Sequence, residues 1–235
     1  MSVPVLQLKG VTQRFGAVDV LADLSLTVAS GEFLAIVGPS GSGKTTLLSL
    51  LSGFLAPTSG TITRTGRTRT VYQSDGLFPW LTVRKNIALG APVGPDRERQ
   101  IDALIQLIGL EAFAGAYPHQ LSGGMRQRVE IARALCGDTD ILLLDEPFSA
   151  LDYLTRLKMR AELVRLLAER PRTVVLVTHD IEEAAQLADR VLVLSDRPAR
   201  VHQELCIPLP RPREITSPGV VAAIHELLSA LGVER

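Results

Sequence analysis

The chain has 235 residues, of which 46% are hydrophobic and 21% charged, so it can bury a substantial core and is not a disordered, highly charged polymer. Lys+Arg and Asp+Glu both number 25, which excludes an overall field that would draw in nucleic acid or anionic lipid; any such contact has to be local. Two cysteines, Cys136 and Cys206, exclude a disulfide framework and agree with a reducing compartment.

The opening "MSVPVLQLKG" has neither the basic nor the apolar region of a signal peptide, and a cytoplasmic chain is expected. Residues 3–30 read as alternating strands. "EFLAIVG" (32–38) is a short unbroken apolar run, the pattern of a strand covered on both faces. It runs straight into "GPSGSGKTT" (38–46), and the helical pattern "TTLLSLL" comes next. Gly38, Gly43, Lys44 and Thr45 satisfy G-x-x-x-x-G-K-[ST], with Pro39, Ser40, Gly41, Ser42 and Thr46 completing the loop. The glycines let backbone N–H groups curl around phosphate oxygens, and the helix N-terminus adds positive potential. Lys44 reaches the β- and γ-phosphates, while the Thr45 hydroxyl can ligate Mg²⁺. The chain has four lysines against twenty-one arginines, yet this slot holds the compact ammonium. Nucleoside triphosphate binding is expected.

"GTITRTGRTRTVYQ" (60–73) reads as a trimmed strand-turn hairpin with "RTVYQ" (69–73) as its strand. Its arginines 64, 67 and 69 can meet phosphates or simply face solvent. Gln73 ends that strand and can bridge Mg²⁺ to the segment beyond it. In "QSDGLFPWLTVRKNIALG" (73–90), Leu77, Phe78, Trp80 and Leu81 gather around Pro79, either as a docking surface or as packing. Residues 76–136 are loops with prolines and helical patches such as "RQIDALIQLIGL", a helical subdomain inserted between 1–75 and 137–207. Within it, "LSGGMRQRV" (121–129) sets Ser122, Gly123 and Gly124 ahead of a helix over 125–136, whose stripe is Met125, Val129, Ala132 and Cys136. Either this is a second anion grip or Ser122 is a helix cap beside a hinge.

"ILLLDEP" is a buried strand ending in two carboxylates. Asp145 can hold the Mg²⁺ shell; Glu146 can orient or deprotonate the water that attacks a γ-phosphate. A helix fits 153–169. The strand "TVVLVT" (173–178) leads to His179, either a turn residue or a γ-phosphate sensor, since ligands gather at the carboxyl ends of such strands. A helix over 180–189 is opened by Asp180, with Glu183 placed for a capping box. "RVLVLS" (190–195) is another strand. "IPLPRPRE" is too rich in proline for a central one, and a last helix over 217–233 completes a tail, 208–235, expected to pack. Strands alternating with helices give an α/β core with a mainly parallel sheet.

Taken in order, "GPSGSGKTT", Gln73, "LSGGMRQRV", "ILLLDEP", "SALD" (149–152) and "THD" (178–180) resemble the ATP-binding cassette ATPases over roughly residues 3–207. The resemblance implies a RecA-like P-loop NTPase core with an N-terminal antiparallel β-subdomain, ATP and Mg²⁺ as ligands, and catalytic roles for Lys44, Gln73, Glu146 and His179. It implies a head-to-tail pair with a second copy of the chain, in which Ser122, Gly123 and Gly124 contact the γ-phosphate of the other copy's ATP. Phe15, in "VTQRFG", would stack on the adenine, and Asp152 would lie between the cassettes. "GLFPWLTVRKNIALG", "DEPFSALDYLTR", "THDIEEA" and "LSDRPARV" look most like importers for nitrate, sulfonate, taurine or pyrimidine precursors. Such systems place the ATPase on the cytoplasmic face of the membrane. Permease subunits would dock near Gln73–Leu81, and a solute-binding protein would act indirectly. The competing class is a cassette ATPase acting on DNA or ribosomes; with neither a coiled-coil insert nor a second cassette, no nucleic acid partner is expected.

Overall fold

A computed structural model describes residues 3–72 and 76–233. The chain opens with two twelve-residue strands, β1 (Pro4–Phe15) and β2 (Val18–Ala29), paired antiparallel with Leu8 opposite Leu26. Leu6 and Leu8 of β1 and Leu24, Leu26 and Val28 of β2 are buried, the two-residue period of a sheet with one face on a core, and an irregularity in the β1–β2 register after Leu8 shifts the buried set of β1 to Val11.

The second sheet is built from β3 (Phe33–Val37), β5 (Thr68–Val71), β6 (Ile141–Asp145), β7 (Thr173–Val177), β8 (Arg190–Leu194) and β9 (Val201–Cys206), in the order β5-β6-β7-β3-β8-β9. All neighbours run parallel except β9, which is antiparallel to β8. The central strands are apolar throughout because both faces are covered, and successive side chains divide between two clusters. Phe33, Ala35, Val37, Leu142, Leu144, Val174 and Leu176 face the larger one, shared with the helices of residues 83–136. Leu34, Ile36, Leu143, Val175 and Leu192 face the other, filled by α1 (Lys44–Ser52) and by the apolar side of β1 and β2.

The expected hairpin at 60–73 does not form. β4 (Ser59–Arg64) adds to β1, giving the antiparallel order β2-β1-β4, whereas β5 pairs with β6 in the parallel sheet. Its arginines are not a free basic face either. Arg64 donates to the carbonyls of Leu50 and Leu51 (2.5 and 2.8 Å), satisfying the C-terminal end of α1. Arg67 pairs with Asp138, and Arg69 donates to the carbonyl of Arg133 (2.9 Å).

α2 (Val83–Ala88), α3 (Arg97–Leu107) and α4 (Gly123–Cys136) pack on one another over the region expected to be helical. Thr82 caps α2 by accepting from the N–H of Lys85. Helix α4 starts two residues earlier than the apolar stripe suggests, at Gly123. Its C-terminal carbonyls are held by Arg69 and by Arg172, which reaches Leu135 (3.1 Å) and Gly137 (2.8 Å). α5 (Tyr153–Glu169) and α6 (Ile181–Leu187) come after β6 and β7. The tail forms α7 (Pro218–Ala230), which packs Val220, Ala223 and Leu227 into the larger cluster; buried Arg213 donates to four carbonyls of the preceding elements. Among the described residues no helix is long and apolar enough to cross a membrane.

Candidate active site

Parallel strands leave their carboxyl ends on one edge of the sheet, and the loops leaving β3, β6, β7 and β8 meet there. A cavity of ≈ 600 Å³ is lined by Ser40, Gly41, Gly43, Lys44, Thr45, Thr46, Glu146, His179 and Arg197. The phosphate loop turns into α1 at Gly43, whose φ of 96° and whose contact with Val20 leave no place for a side chain: a Cβ would sit 2.7 Å from Val20 Cγ1. At Gly38 a Cβ would lie 2.9 Å from the carbonyl oxygen of Leu194.

Lys44 is buried and donates to the carbonyls of Gly38 (2.9 Å) and Pro39 (2.8 Å), which holds its ammonium within the loop. Burial pulls its pKa down, while Glu146 and Asp145 oppose that shift. Asp145 closes β6 with its carboxyl buried. Burial raises its pKa and Glu146 adds to the rise, against a hydrogen bond from Thr45 and the charge of Lys44. Two buried oxygens here have no partner among the described residues, Asp145 Oδ1 and Ser42 Oγ. A buried carboxylate oxygen left unpaired beside a threonine hydroxyl suits a hard divalent cation, so the residues present fit Mg²⁺.

Glu146 adopts a left-handed backbone (φ 48°), costly for a residue with a side chain, and its N–H donates to the carbonyl of Val177. Its carboxylate lies 3.2 Å from Nδ1 of His179, just past the end of the next strand, β7. His179 in turn sits between two anchored neighbours. Thr178 donates to Glu183, and Asp180 caps α6 by accepting from the N–H of Glu183 (3.0 Å). The expected capping box is therefore only half made. Thr178 Oγ1 accepts from the N–H of Asp180, and the Glu183 carboxylate turns inward toward Arg160 (3.4 Å), which is 2% exposed and also holds Asp180 (2.6 Å).

Ser122 caps α4, accepting from the N–H of Met125 (3.3 Å), and Gly123 and Gly124 begin the helix. None of the three lines the cavity that holds the phosphate loop, nor do Phe15 and Asp152. Phe15 ends β1 with 47% of its surface exposed; Asp152 is the exposed N-cap of α5, accepting from the N–H of Thr155 (3.0 Å). Gln73 lies outside the described residues. The neighbouring aromatic cluster divides: Leu77 is buried, whereas Phe78 and Trp80 point outward with ring centroids 5.4 Å apart, Trp80 at 68% exposure.

Two site residues escape sequence reasoning. Arg197, in the loop after β8, donates through Nε and Nη2 to the carbonyl of Gly41 (3.0 and 2.6 Å). Gln127, on the second turn of α4, bonds at both ends of its amide to the turn after Glu146. Neither carries a local pattern; each contact exists only once distant elements have docked.

The ABC transporter family model matches residues 21–149. The chain is 46% identical over 232 residues to the aliphatic sulfonates import ATP-binding protein SsuB 1 of Rhodococcus jostii, covering 96% of this chain and 93% of that protein. It is 43% identical over 203 residues to the taurine import ATP-binding protein TauB of Roseobacter denitrificans, covering 81% and 76%. Among solved structures, the dimeric bacterial ABC transporter cassette MJ0796 superposes with a TM-score of 0.77 at 34% identity, over 87% of this chain and all of that one; a post-hydrolysis dimer of the same cassette, bound to ADP and Pi, gives 0.77 at 33%. With a phosphate loop, paired carboxylates and a strand-end histidine on one sheet edge, and with relatives this similar along nearly its full length, the chain belongs to the ATP-binding, ATP-hydrolysing proteins of the ABC transporter family.

Proposed function

We propose that this chain is the ATPase subunit of an importer for small organic sulfonates such as taurine. It works as a pair of copies on the cytoplasmic face of the membrane, beneath separate permease subunits that a solute-binding protein supplies. The substrate class rests on the names of its relatives. The paired arrangement rests on one observation: the phosphate loop, Glu146 and His179 share a cavity that the Ser122–Gly124 turn of the same chain does not reach. A second copy, placed head to tail, supplies that turn.

In this reading Lys44 and the loop N–H groups bind the β- and γ-phosphates, and the exposed ring of Phe15 stacks on the adenine. Thr45 and Asp145 would hold Mg²⁺, and the family resemblance gives Gln73 a part in bridging it; the ion would supply positive charge to the phosphate oxygens. Ser122 of the second copy donates its hydroxyl to the γ-phosphate, and the N-terminus of α4 adds its partial charge. Glu146 accepts a proton from water as the water oxygen bonds to the γ-phosphorus and the bond to the ADP oxygen breaks. His179, 3.2 Å from that carboxylate, orients it and senses the γ-phosphate. Asp152 lies between the copies. Closure around two nucleotides moves the outward Phe78–Trp80 pair, on which the permease docks.

Glu146→Gln tests the whole reading. It should keep ATP affinity, lower kcat by roughly 10²–10⁴-fold and accumulate an ATP-dependent dimer on light scattering. A variant that saturates with ATP and stays monomeric, with permease present, would refute the two-copy site.

A further inference from the structure

The helix that begins with the second phosphate grip is fastened to the turn that carries the catalytic carboxylate of the same chain. Gln127 is 7% exposed, and both ends of its amide are used. Nε2 donates to the carbonyl of Glu146 (3.1 Å), and Oε1 accepts from the N–H of Ala150 (3.1 Å). One turn earlier, Gly124 lies so close to the same turn that a Cβ would meet Ala150 O at 3.2 Å and Leu151 Cδ2 at 3.3 Å. Ser149 also closes the turn, its N–H (3.2 Å) and hydroxyl (3.0 Å) both reaching the Glu146 carbonyl. Glu146 itself is held at φ 48°, a conformation that persists only where surroundings over-determine it.

We infer that Gln127 is a positioning residue that locks Glu146 to the start of α4, so that engagement of Ser122 with nucleotide on the partner copy sets the geometry of this chain's own Glu146. The inference rests on the two-copy reading. Ser122 is one and a half helical turns from Gln127, and α4 between them is a stiff rod. A displacement of α4 on closure is therefore delivered to the Glu146 carbonyl through one buried amide. With two copies each gripping the other's nucleotide, the wiring makes hydrolysis in either site depend on occupancy of both.

Gln127→Glu is close to isosteric and splits the two bonds. The carboxylate still accepts from Ala150 N–H but faces the Glu146 carbonyl without a proton to give. At pH 8 it should lower kcat by roughly 10–100-fold, the scale of a small misplacement of a reacting group, and the Hill coefficient for ATP should fall toward one. ATP affinity, measured with a fluorescent analogue, should stay within about twofold, since Gln127 does not line the cavity. Protonation restores the donor, so the ratio of variant to parent kcat should rise as pH is lowered from 8 to 6. Gln127→Ala should lose both bonds and show no such recovery. Parental kcat and Hill coefficient in Gln127→Glu at pH 8 would overturn the inference, as would a kcat ratio flat with pH. A parent chain whose Glu146→Gln form never dimerises with ATP would instead overturn the two-copy reading.

Discussion

Arg160 offers the sharpest test of how the strand end bearing His179 is held. Its guanidinium is 2% exposed and faces two carboxylates, Asp180 at 2.6 Å and Glu183 at 3.4 Å, the latter itself 3% exposed. Replacing it with leucine keeps apolar volume and strands Glu183 in the interior. Breaking a buried pair from one side costs about 3–5 kcal/mol; Asp180 keeps Arg156 (3.1 Å) and the Glu183 N–H, so about 3 kcal/mol is expected. For a chain of this size that is a drop in Tm of about 6–12 °C. The sign with pH is set by the two carboxyls. Burial raises the Glu183 pKa, and Arg160 opposes it, so removing Arg160 raises it further. A carboxyl raised in the folded state destabilises increasingly as pH climbs from the unfolded pKa through the folded one, and costs nothing below both. For Asp180, burial pushes the pKa up, but the Glu183 N–H and Arg160 outweigh it and leave it low; the stability this lends is lost as pH falls through the folded pKa. The Glu183 effect makes the parent-variant gap in urea or thermal melts widest near neutrality and shrinks it toward pH 4; the Asp180 effect falls away only below about pH 4, under the ordinary carboxyl range. A gap that is constant or grows in acid would mean that packing, not charge, is what Arg160 contributes.

The remaining expectations concern the assembled transporter. Ser122→Arg should abolish hydrolysis while leaving nucleotide affinity of the isolated chain within about twofold, read by equilibrium titration; a collapse of affinity would place the serine in its own chain's site. Trp80→Ala removes an outward side chain and should leave basal ATP hydrolysis and Tm almost unchanged while weakening co-purification with the permease. Retained association with a lowered Tm would return Trp80 to the fold.

The residues alone reveal whatever a strand, a loop and a helix decide locally. The phosphate loop announces itself because glycine spacing, lysine and threonine are all contiguous, and Asp145, Glu146 and His179 each come after an unbroken apolar run that only a doubly covered strand explains. Pairing partners are not local. "GTITRTGRTRTVYQ" has the look of a hairpin, and nothing in it says that Thr68–Val71 finds a better edge at Ile141–Leu144. β9 escapes a reading of the residues although Val201, Gln203 and Leu205 alternate with exposed neighbours, because its few apolar residues resemble those of a loop. The capping box fails for a similar reason: Thr178 takes the backbone donor that Glu183 would have used, and Arg160, twenty-three positions earlier, draws the carboxylate inward.

The larger apolar layer runs without a break from the sheet face at Leu142, Leu144 and Leu176 to Val83, Ile87, Ile101 and Val129 in the helices. Prising the two apart would wet that seam at about 2.5 kcal/mol for every 100 Å². Sliding along it wets almost nothing. On this ground a nucleotide-driven motion of α2–α4 across that face costs less as a shear than as an opening jaw.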